Sequence, residues 1–350
     1  MLLDTADRWR RGTLRTALRI PTVRRIFVRP ELRIPIAAAL TVVGSAAVSL
    51  ASPALTLLLG AALFGVPHIL SGLRHTALRR RVHPLTLGWV GVALVLGVAA
   101  VLHHPSGSRV FVMLCALAVG TEIVVASAPF SRKAFWISAV IGLSGLCLRA
   151  PLYFLLSVTH VHALGSLGFF STAARRRGIV TWPMWSVTLV VAAAAVSGAV
   201  DPLLRAQAWA NDLGPDAVVR TLGHLLPSND SAWISRGLFL YEFGQSLHYA
   251  VWLRLMPEVD RSAPVPWSFR KAFGELKLDL RHWTWLAIGL CAIATMAMLV
   301  VGVRARDVYF VLVYFHIALE AAAFARLKLN RPLRVQRPSF DFAPGPAVFF

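Results

Sequence analysis

Residues 34–73 read IPIAAALTVVGSAAVSLASPALTLLLGAALFGVPHILSGL, forty residues without a single Asp, Glu, Lys or Arg. A helix needs about 20 mostly apolar residues to cross the hydrocarbon core of a bilayer, which is about 30 Å thick. The stretch is therefore long enough for two membrane-spanning helices. We place the break between them at Ser52-Pro53, because proline begins a helix easily and interrupts one elsewhere.

The rest of the chain repeats this pattern. Of its 350 residues, 57% are hydrophobic and only 15% are charged, and the mean hydropathy is +0.65. Soluble domains are typically about 45–50% apolar and about 25% charged. We therefore predict an all-α protein, a polytopic transmembrane helix bundle of about ten spans with the lipid bilayer as its partner. The predicted spans are 34–52, 54–73, 85–103, 110–130, 134–149, 151–172, 179–200, 233–255, 284–303 and 308–326.

The distribution of basic residues predicts the orientation. Lys and Arg number 36 against 16 Asp and Glu, for a net charge of +20. With the N-terminus inside, 29 of the 36 fall in predicted cytoplasmic segments and seven on the other side. Such a split follows the positive-inside rule, so both termini are predicted to be cytoplasmic, in a bacterial-type inner (plasma) membrane. Since aromatic residues do not alternate with the basic ones as a nucleic-acid stacking surface requires, nucleic acid is not a predicted partner.

The predicted organisation is a single membrane domain, residues 34–326, between two cytoplasmic ends. The N-terminal segment 1–33 is basic, lacks the features of a cleavable signal peptide, and is expected on the inner membrane surface, where Arg meets anionic lipid. An external loop, 201–232, is expected as a surface cap, and a cytoplasmic loop, 256–283, contains an expected interfacial helix. Residues 327–350 form the tail. All three cysteines lie inside apolar runs, so no disulfide framework is predicted.

Ionisable residues inside the predicted spans carry the functional signal. Such groups are expensive in a bilayer and tend to mark function. They concentrate in the even-numbered spans, which all run from outside to inside in the predicted topology. The number of residues from the outer end of such a span to an ionisable residue therefore gives the depth of that residue. At 1.5 Å per residue they fall about 12–22 Å from the outer helix ends, in one layer about 10 Å thick. The set is His68, Glu122, His160, His162, Glu242, His248, His316 and Glu320. Glu122 has two equally weighted interpretations, as a site residue or as a structural partner.

Helical spacing predicts which side chains share a face. His316 and Glu320 are four apart, and Tyr241, Gln245 and His248 form a stripe with Glu242 at its edge.

His160 and His162 lie about 200° apart around their helix, so only one of them can easily face a given site. We expect His160 to be the inward residue. Imidazole with carboxylate is the ligand set of non-haem iron, manganese or zinc. We predict metal ligands among His68, His160, His162, His248, His316 and Glu320, with Tyr241, Gln245 and Glu242 as candidate catalytic residues.

Three short motifs add a resemblance to a known family. They are FGVPHILSGLRH at 64–75, LLSVTHVHALGSLGFF at 155–170 and FGQSLHYAVWLR at 243–254. Together they resemble the Brp/Blh family of membrane β-carotene 15,15′-dioxygenases, helical proteins whose intramembrane His residues are thought to hold a non-haem iron that cleaves carotenoid to retinal. The resemblance implies iron ligation by His68, by His160 or His162, and by His248.

These observations favour an integral membrane non-haem metal oxidoreductase or oxygenase acting on a lipophilic substrate such as a carotenoid or another lipid. Two alternatives remain open at this point. One is a proton-coupled transporter that uses Glu122, Glu242 and Glu320. The other is a b-type haem protein with axial His ligands such as His160 and His316.

Overall fold

The computed structural model describes residues 2–51, 60–79, 82–103, 107–149, 151–206, 231–261, 268–301 and 303–330. Over these residues the secondary structure is entirely helical, without a strand, which confirms the all-α prediction. The Ser52-Pro53 break, most of the predicted external cap and the end of the tail lie outside the described residues.

The helices follow one another with short connections. They are α1 Leu2–Ala17, α2 Pro21–Val28, α3 Pro30–Ala51, α4 Val66–Leu73, α5 Pro84–His103, α6 Gly107–Val125, α7 Phe130–Arg149, α8 Pro151–Arg175, α9 Trp182–Val196, α10 Asp201–Ala206, α11 Ser231–Ala250, α12 Met256–Asp260, α13 Phe269–Leu280, α14 Thr284–Val301 and α15 Val303–Leu329. Three π-helical turns interrupt this pattern, at Ala61–Gly65, Arg74–Leu78 and Val251–Leu255.

Within the described residues, each predicted span overlaps helical structure, and residues 54–59 of the second span lie outside them. The helices differ in how well they meet the criteria for crossing a membrane. Among the described residues, one helix, Pro30–Ala51, is long and apolar enough to span a bilayer. Four other apolar stretches are shorter: Pro84–Ala93, Val112–Val125, Trp182–Val196 and Thr284–Ala297. The ten-span arrangement therefore stays a prediction.

Helix α15 lies at the centre of the packing. It contacts α4, α5, α6, α8 and α14. Its inward residues Ala318, Leu319, Ala322 and Ala323 are almost fully buried. Small residues on this face allow the neighbouring helices to approach closely, so the His316–Glu320 turn of α15 is surrounded on several sides.

Polar residues lie inside the bundle, and large apolar residues cover its outside. His68, His248 and His316 are at most 2% exposed. On the outside, Ile293 and Val300 of α14 are 68% and 76% exposed. This arrangement is the reverse of the usual soluble pattern, in which charged and polar residues face water.

Glu122 is a structural partner. Its carboxylate accepts hydrogen bonds from the Thr86 hydroxyl at 2.8 Å and from the His83 backbone N–H at 2.6 Å. The Arg326 guanidinium donates to its other oxygen at 2.8 Å. The carboxylate therefore ties α6 to the start of α5 and to the end of α15, and the structural interpretation of Glu122 is the one that the contacts support.

The predicted interfacial helix in 256–283 is confirmed as a helix, α13, and α1 packs against it. Asp7 of α1 accepts hydrogen bonds from the backbone N–H groups of Phe269 and Arg270, at 2.8 and 3.2 Å. A carboxylate at this position satisfies N–H groups of the first turn that have no partner within the helix, and it interacts favourably with the helix dipole. At the other end of α13, Arg74 and Arg79 donate to Asp279, so α13 connects α1 to the π-turn after α4.

We expect Asp7→Ala to release α1 from α13, because the first turn of α13 loses the acceptor for two N–H groups. Trypsin should then cleave the detergent-solubilised full chain after the arginines of α1 several-fold faster, as followed by mass spectrometry of the N-terminal fragments. Asp4→Ala is the matched control, since Asp4 forms an exposed ion pair with Arg270 at 3.6 Å. Equal cleavage rates for the two variants would contradict this role of Asp7.

Candidate metal centre

Four helices bring their polar residues to one point in the interior. The residues are His68 on α4, His162 on α8, His248 on α11, and His316 with Glu320 on α15. All five side chains are buried. They come from predicted spans two, six, eight and ten, so the depth argument from the sequence agrees with the packing.

Four of these residues form a compact donor group. One ligand atom from each of His162, His248, His316 and Glu320 lies within 4.8 Å of the others. The Glu320 carboxylate is close to all three imidazoles: Oε1 is 2.7 Å from His316 Nε2 and 4.0 Å from His248 Nε2, and Oε2 is 3.2 Å from His162 Nδ1. Three neutral nitrogen donors and one carboxylate can hold a metal ion.

His68 completes the group as a fifth residue. Its ring centroid lies 4.9 Å from those of His248 and His316, edge-on to both. Its Nδ1 is 3.0 Å from the Phe64 carbonyl oxygen. If Nδ1 carries the proton and donates it to this carbonyl, Nε2 is the nitrogen that can accept a metal, and the hydrogen bond fixes the ring orientation, as is usual for a metal-binding imidazole.

The donor group has many ring and carboxylate atoms without a hydrogen-bond partner. They are His162 Nε2, both ring nitrogens of His248, both ring nitrogens of His316, and Glu320 Oε1. A buried polar atom without a partner typically costs about 1–3 kcal/mol. A cation bound among these atoms would satisfy several of them together, so the residues present fit a metal ion.

Gly72 permits the position of His316. A Cβ atom at Gly72 would lie 2.2 Å from Cε1 and 2.8 Å from Nδ1 of the His316 ring. These distances are far below van der Waals contact, so no other residue fits here unless the imidazole moves. The glycine therefore lets α4 and α15 approach each other closely at the site.

Trp252 covers the group on one side. Its side chain is fully buried, with ring centroids 5.9 Å from His316 and 5.3 Å from Phe169. Its backbone carbonyl accepts a hydrogen bond from the Ser71 hydroxyl at 2.6 Å, which joins α4 to the π-turn after α11. Its place at the end of the predicted span 233–255 is typical of an interfacial aromatic belt. That interpretation is wrong, because the ring is buried inside the bundle.

The π-turns flank the site residues. Ala61–Gly65 ends three residues before His68 and supplies the Phe64 carbonyl, and Val251–Leu255 begins three residues after His248. Single π-turns inside α-helices occur frequently at functional sites. Here the two π-turns change the helical phase next to His68 and next to His248. The imidazole rings and the groups that contact them therefore face inward.

The structure brings together most of the predicted ligands. His68, His162, His248, His316 and Glu320 meet, as the matched depths predicted. His162 joins the group although the sequence analysis preferred His160, whose side chain lies outside the described residues.

The candidate catalytic residues lie on α11, outside the four-residue donor group. Glu242 is buried, with Oε1 unpartnered, and precedes His248 by six residues, about 9 Å along a helix. Tyr241 and Gln245 are half-buried. Their catalytic roles stay predictions.

Two residues escaped the sequence analysis. Gly72 gave no signal, because a glycine in a transmembrane pattern is common and its necessity depends on a residue 244 positions away. Tyr249 was also missed, although its ring lies 4.7 Å from that of His68. Its position directly after His248 is about 100° further around a regular helix, so the spacing alone could not identify it.

No family model matches the chain, and neither a curated protein nor a solved structure matches it. The assignment of the site therefore depends on its own geometry and on the chemistry of its donors.

We expect Gly72→Ala to displace the His316 imidazole and to lower metal retention by about tenfold or more, in the range seen when the surroundings of a metal ligand are disturbed. The measurement is metal per purified chain by mass spectrometry. Gly165→Ala is the matched control, because Gly165 is on α8 near His162 and a Cβ there meets nothing within 4 Å. Full metal content in Gly72→Ala would contradict the role of this close approach.

Proposed function

We propose that the protein is an integral membrane non-haem metal oxidoreductase or oxygenase that acts on a lipophilic substrate. One observation carries the proposal: the donor group of His162, His248, His316 and Glu320 within 4.8 Å, buried inside the bundle. Buried imidazole nitrogens without hydrogen-bond partners, such as His162 Nε2 and both ring nitrogens of His248, are unfavourable unless a ligand binds them.

Iron is the proposed metal. Imidazole and carboxylate donors suit non-haem iron, and they also suit manganese and zinc. The resemblance of the 64–75, 155–170 and 243–254 motifs to the Brp/Blh family favours iron among the three. A bound iron would supply one-electron and dioxygen chemistry that amino-acid side chains lack.

The protein's own residues would hold, orient and enclose the centre. Hydrogen bonding to Phe64 fixes the His68 ring, and the Glu320 carboxylate lies between the imidazoles of α8, α11 and α15. Trp252 and Phe169 exclude water on one side. Tyr241, Gln245 and Glu242 are proposed to line the path of the substrate or of oxygen along α11.

The surface of the bundle supports a lipophilic substrate. The outward faces carry exposed large apolar side chains, among them Val95, Ile141, Leu189 and Ile293, each 66–68% exposed. Aliphatic surface of this extent is stable in lipid and unstable in water. We propose that the protein lies in the membrane and that a carotenoid or other lipid enters the site laterally from the hydrocarbon phase.

The predicted orientation can be tested with reporter fusions. Alkaline phosphatase fused after residue 215, in the predicted external loop, should be active, and green fluorescent protein fused after residue 350 should fluoresce, because both termini are predicted to be cytoplasmic. The control is alkaline phosphatase fused after residue 265, in the predicted cytoplasmic loop, which should be inactive. An active phosphatase after residue 265 together with an inactive one after residue 215 would show that the orientation is the reverse of the predicted one.

The contacts favour this proposal over the two alternatives. A proton relay through Glu122 is not supported, because its carboxylate is in an ion pair with Arg326. A haem would need room for a porphyrin between axial imidazoles. The His162, His248 and His316 ring centroids lie only 4.2–5.5 Å apart, and the Glu320 carboxylate lies against the same rings.

We expect the purified protein to contain close to one iron per chain, and His316→Ala or Glu320→Gln to retain below about 0.2, since each variant removes a direct ligand. Metal analysis with an optical spectrum is the measurement, and removal of the metal by a chelator should lower the melting temperature of the wild type but not of the variants. His282→Ala is the control, because His282 is exposed at the start of α14.

The enzymatic part of the proposal has its own test. Iron-loaded protein in detergent micelles should consume dioxygen only when a carotenoid such as β-carotene is present, and His316→Ala should abolish that consumption. A metal-free wild type, or a spectrum with a Soret band, would reject the non-haem assignment. Proton-coupled uptake into vesicles after complete metal removal would favour a transporter.

A further inference from the structure

A groove on the N-terminal segment has a lining that the metal centre does not explain. It has a volume of about 380 Å³ and lies between the end of α1 and α2. Seven residues line it: Leu18, Arg19, Pro21, Arg24, Arg25, Val28 and Arg29. Four guanidinium groups and three apolar side chains therefore share one open concave surface.

The positive charges of the groove arginines have no neighbouring carboxylate among the described residues. Within the described part of the chain, no carboxylate lies within 4.0 Å of Arg19, Arg24, Arg25 or Arg29. By contrast, Arg33, one helical turn beyond Arg29, lies 3.5 Å from Glu258. Four like charges around one concave surface repel one another, so an anion that binds among them is favoured.

A buried arginine links α2, which lines the groove, to the rest of the fold. Arg33 is buried, and its guanidinium donates to the Phe27 carbonyl oxygen of α2 at 2.6 Å. The same side chain anchors the start of α3 to Glu258 of α12. These contacts join the end of α2 to α3 and to α12.

We propose that this groove binds the phosphate headgroup of an anionic phospholipid in the cytoplasmic leaflet. Guanidinium groups bind phosphate oxygens in a bidentate fashion, which favours arginine over lysine at such sites. The apolar side chains Leu18, Pro21 and Val28 would contact the glycerol and the upper part of an acyl chain. The inference goes beyond a general attraction of basic residues to the membrane, because it assigns one lipid to one groove.

The proposal depends on the membrane location proposed above but not on the metal. A free phosphate ion offers the same oxygens as a lipid headgroup, so the experiment has to distinguish the two. The apolar lining decides our choice of lipid, since inorganic phosphate would gain nothing from Val28, which is 62% exposed.

The test is native mass spectrometry of the full-length protein in detergent, titrated with phosphatidylglycerol, with phosphatidylcholine of the same acyl chains, and with inorganic phosphate. The variant R24Q/R25Q/R29Q removes three positive charges from the groove. The matched control, R8Q/R11Q/R15Q, removes three exposed positive charges from α1 outside the groove. All measurements are repeated after chelator treatment, so that loss of metal and loss of lipid are read separately.

We expect one retained phosphatidylglycerol per chain in the wild type and in the control, and about 100-fold weaker retention in the groove variant. Phosphatidylcholine should bind much more weakly, and millimolar phosphate should not displace the lipid. Equal weakening in both triple variants would show diffuse attraction and overturn the proposal. Equal binding of the two lipids, or displacement by inorganic phosphate, would also overturn it.

Discussion

The arrangement of the bundle depends on one constraint: three imidazoles and a carboxylate are buried together without enough hydrogen-bond partners of their own. In an apolar interior such atoms are destabilising unless something binds them. The chain nevertheless brings His162, His248 and His316 to Glu320 from three separate helices. Helices α4 and α8 pack against α15, and α11 packs against α8, so the same contacts that build the core also assemble the donors.

Local departures from regular helix make the convergence possible. The π-turns beside His68 and His248 rotate the following residues, and one of them supplies the carbonyl that holds the His68 ring. Gly72 then allows two backbones to approach until the His316 imidazole touches α4. Stability and site geometry are therefore linked at these positions, since a change that straightens a helix or adds a methyl group also moves a ligand.

The two ends of the bundle have different chemistry. The interior site uses imidazole and carboxylate donors buried in the bundle, whereas the helices α1, α2 and α13 use charge: Asp7 binds the first turn of α13, Asp279 pairs with Arg74 and Arg79, and the α1–α2 groove presents four arginines. Helix α13 contacts both α1 and the π-turn after α4. The α1–α13 contact and the buried site are thus connected through packed helices.

The sequence by itself determined the helical class, because runs of about 20 apolar residues between charged segments fold as helices in almost any context. It also indicated much of the donor group, since His68, His248, His316 and Glu320 lie at matched offsets in predicted spans of the same direction. Only the tertiary structure decided that His162 joins them, that Glu122 binds Arg326, and that Trp252 faces inward. The physical reason is that periodicity gives a residue's depth and face, whereas π-turns and close helix approach change that face, and they depend on contacts between residues far apart in the chain.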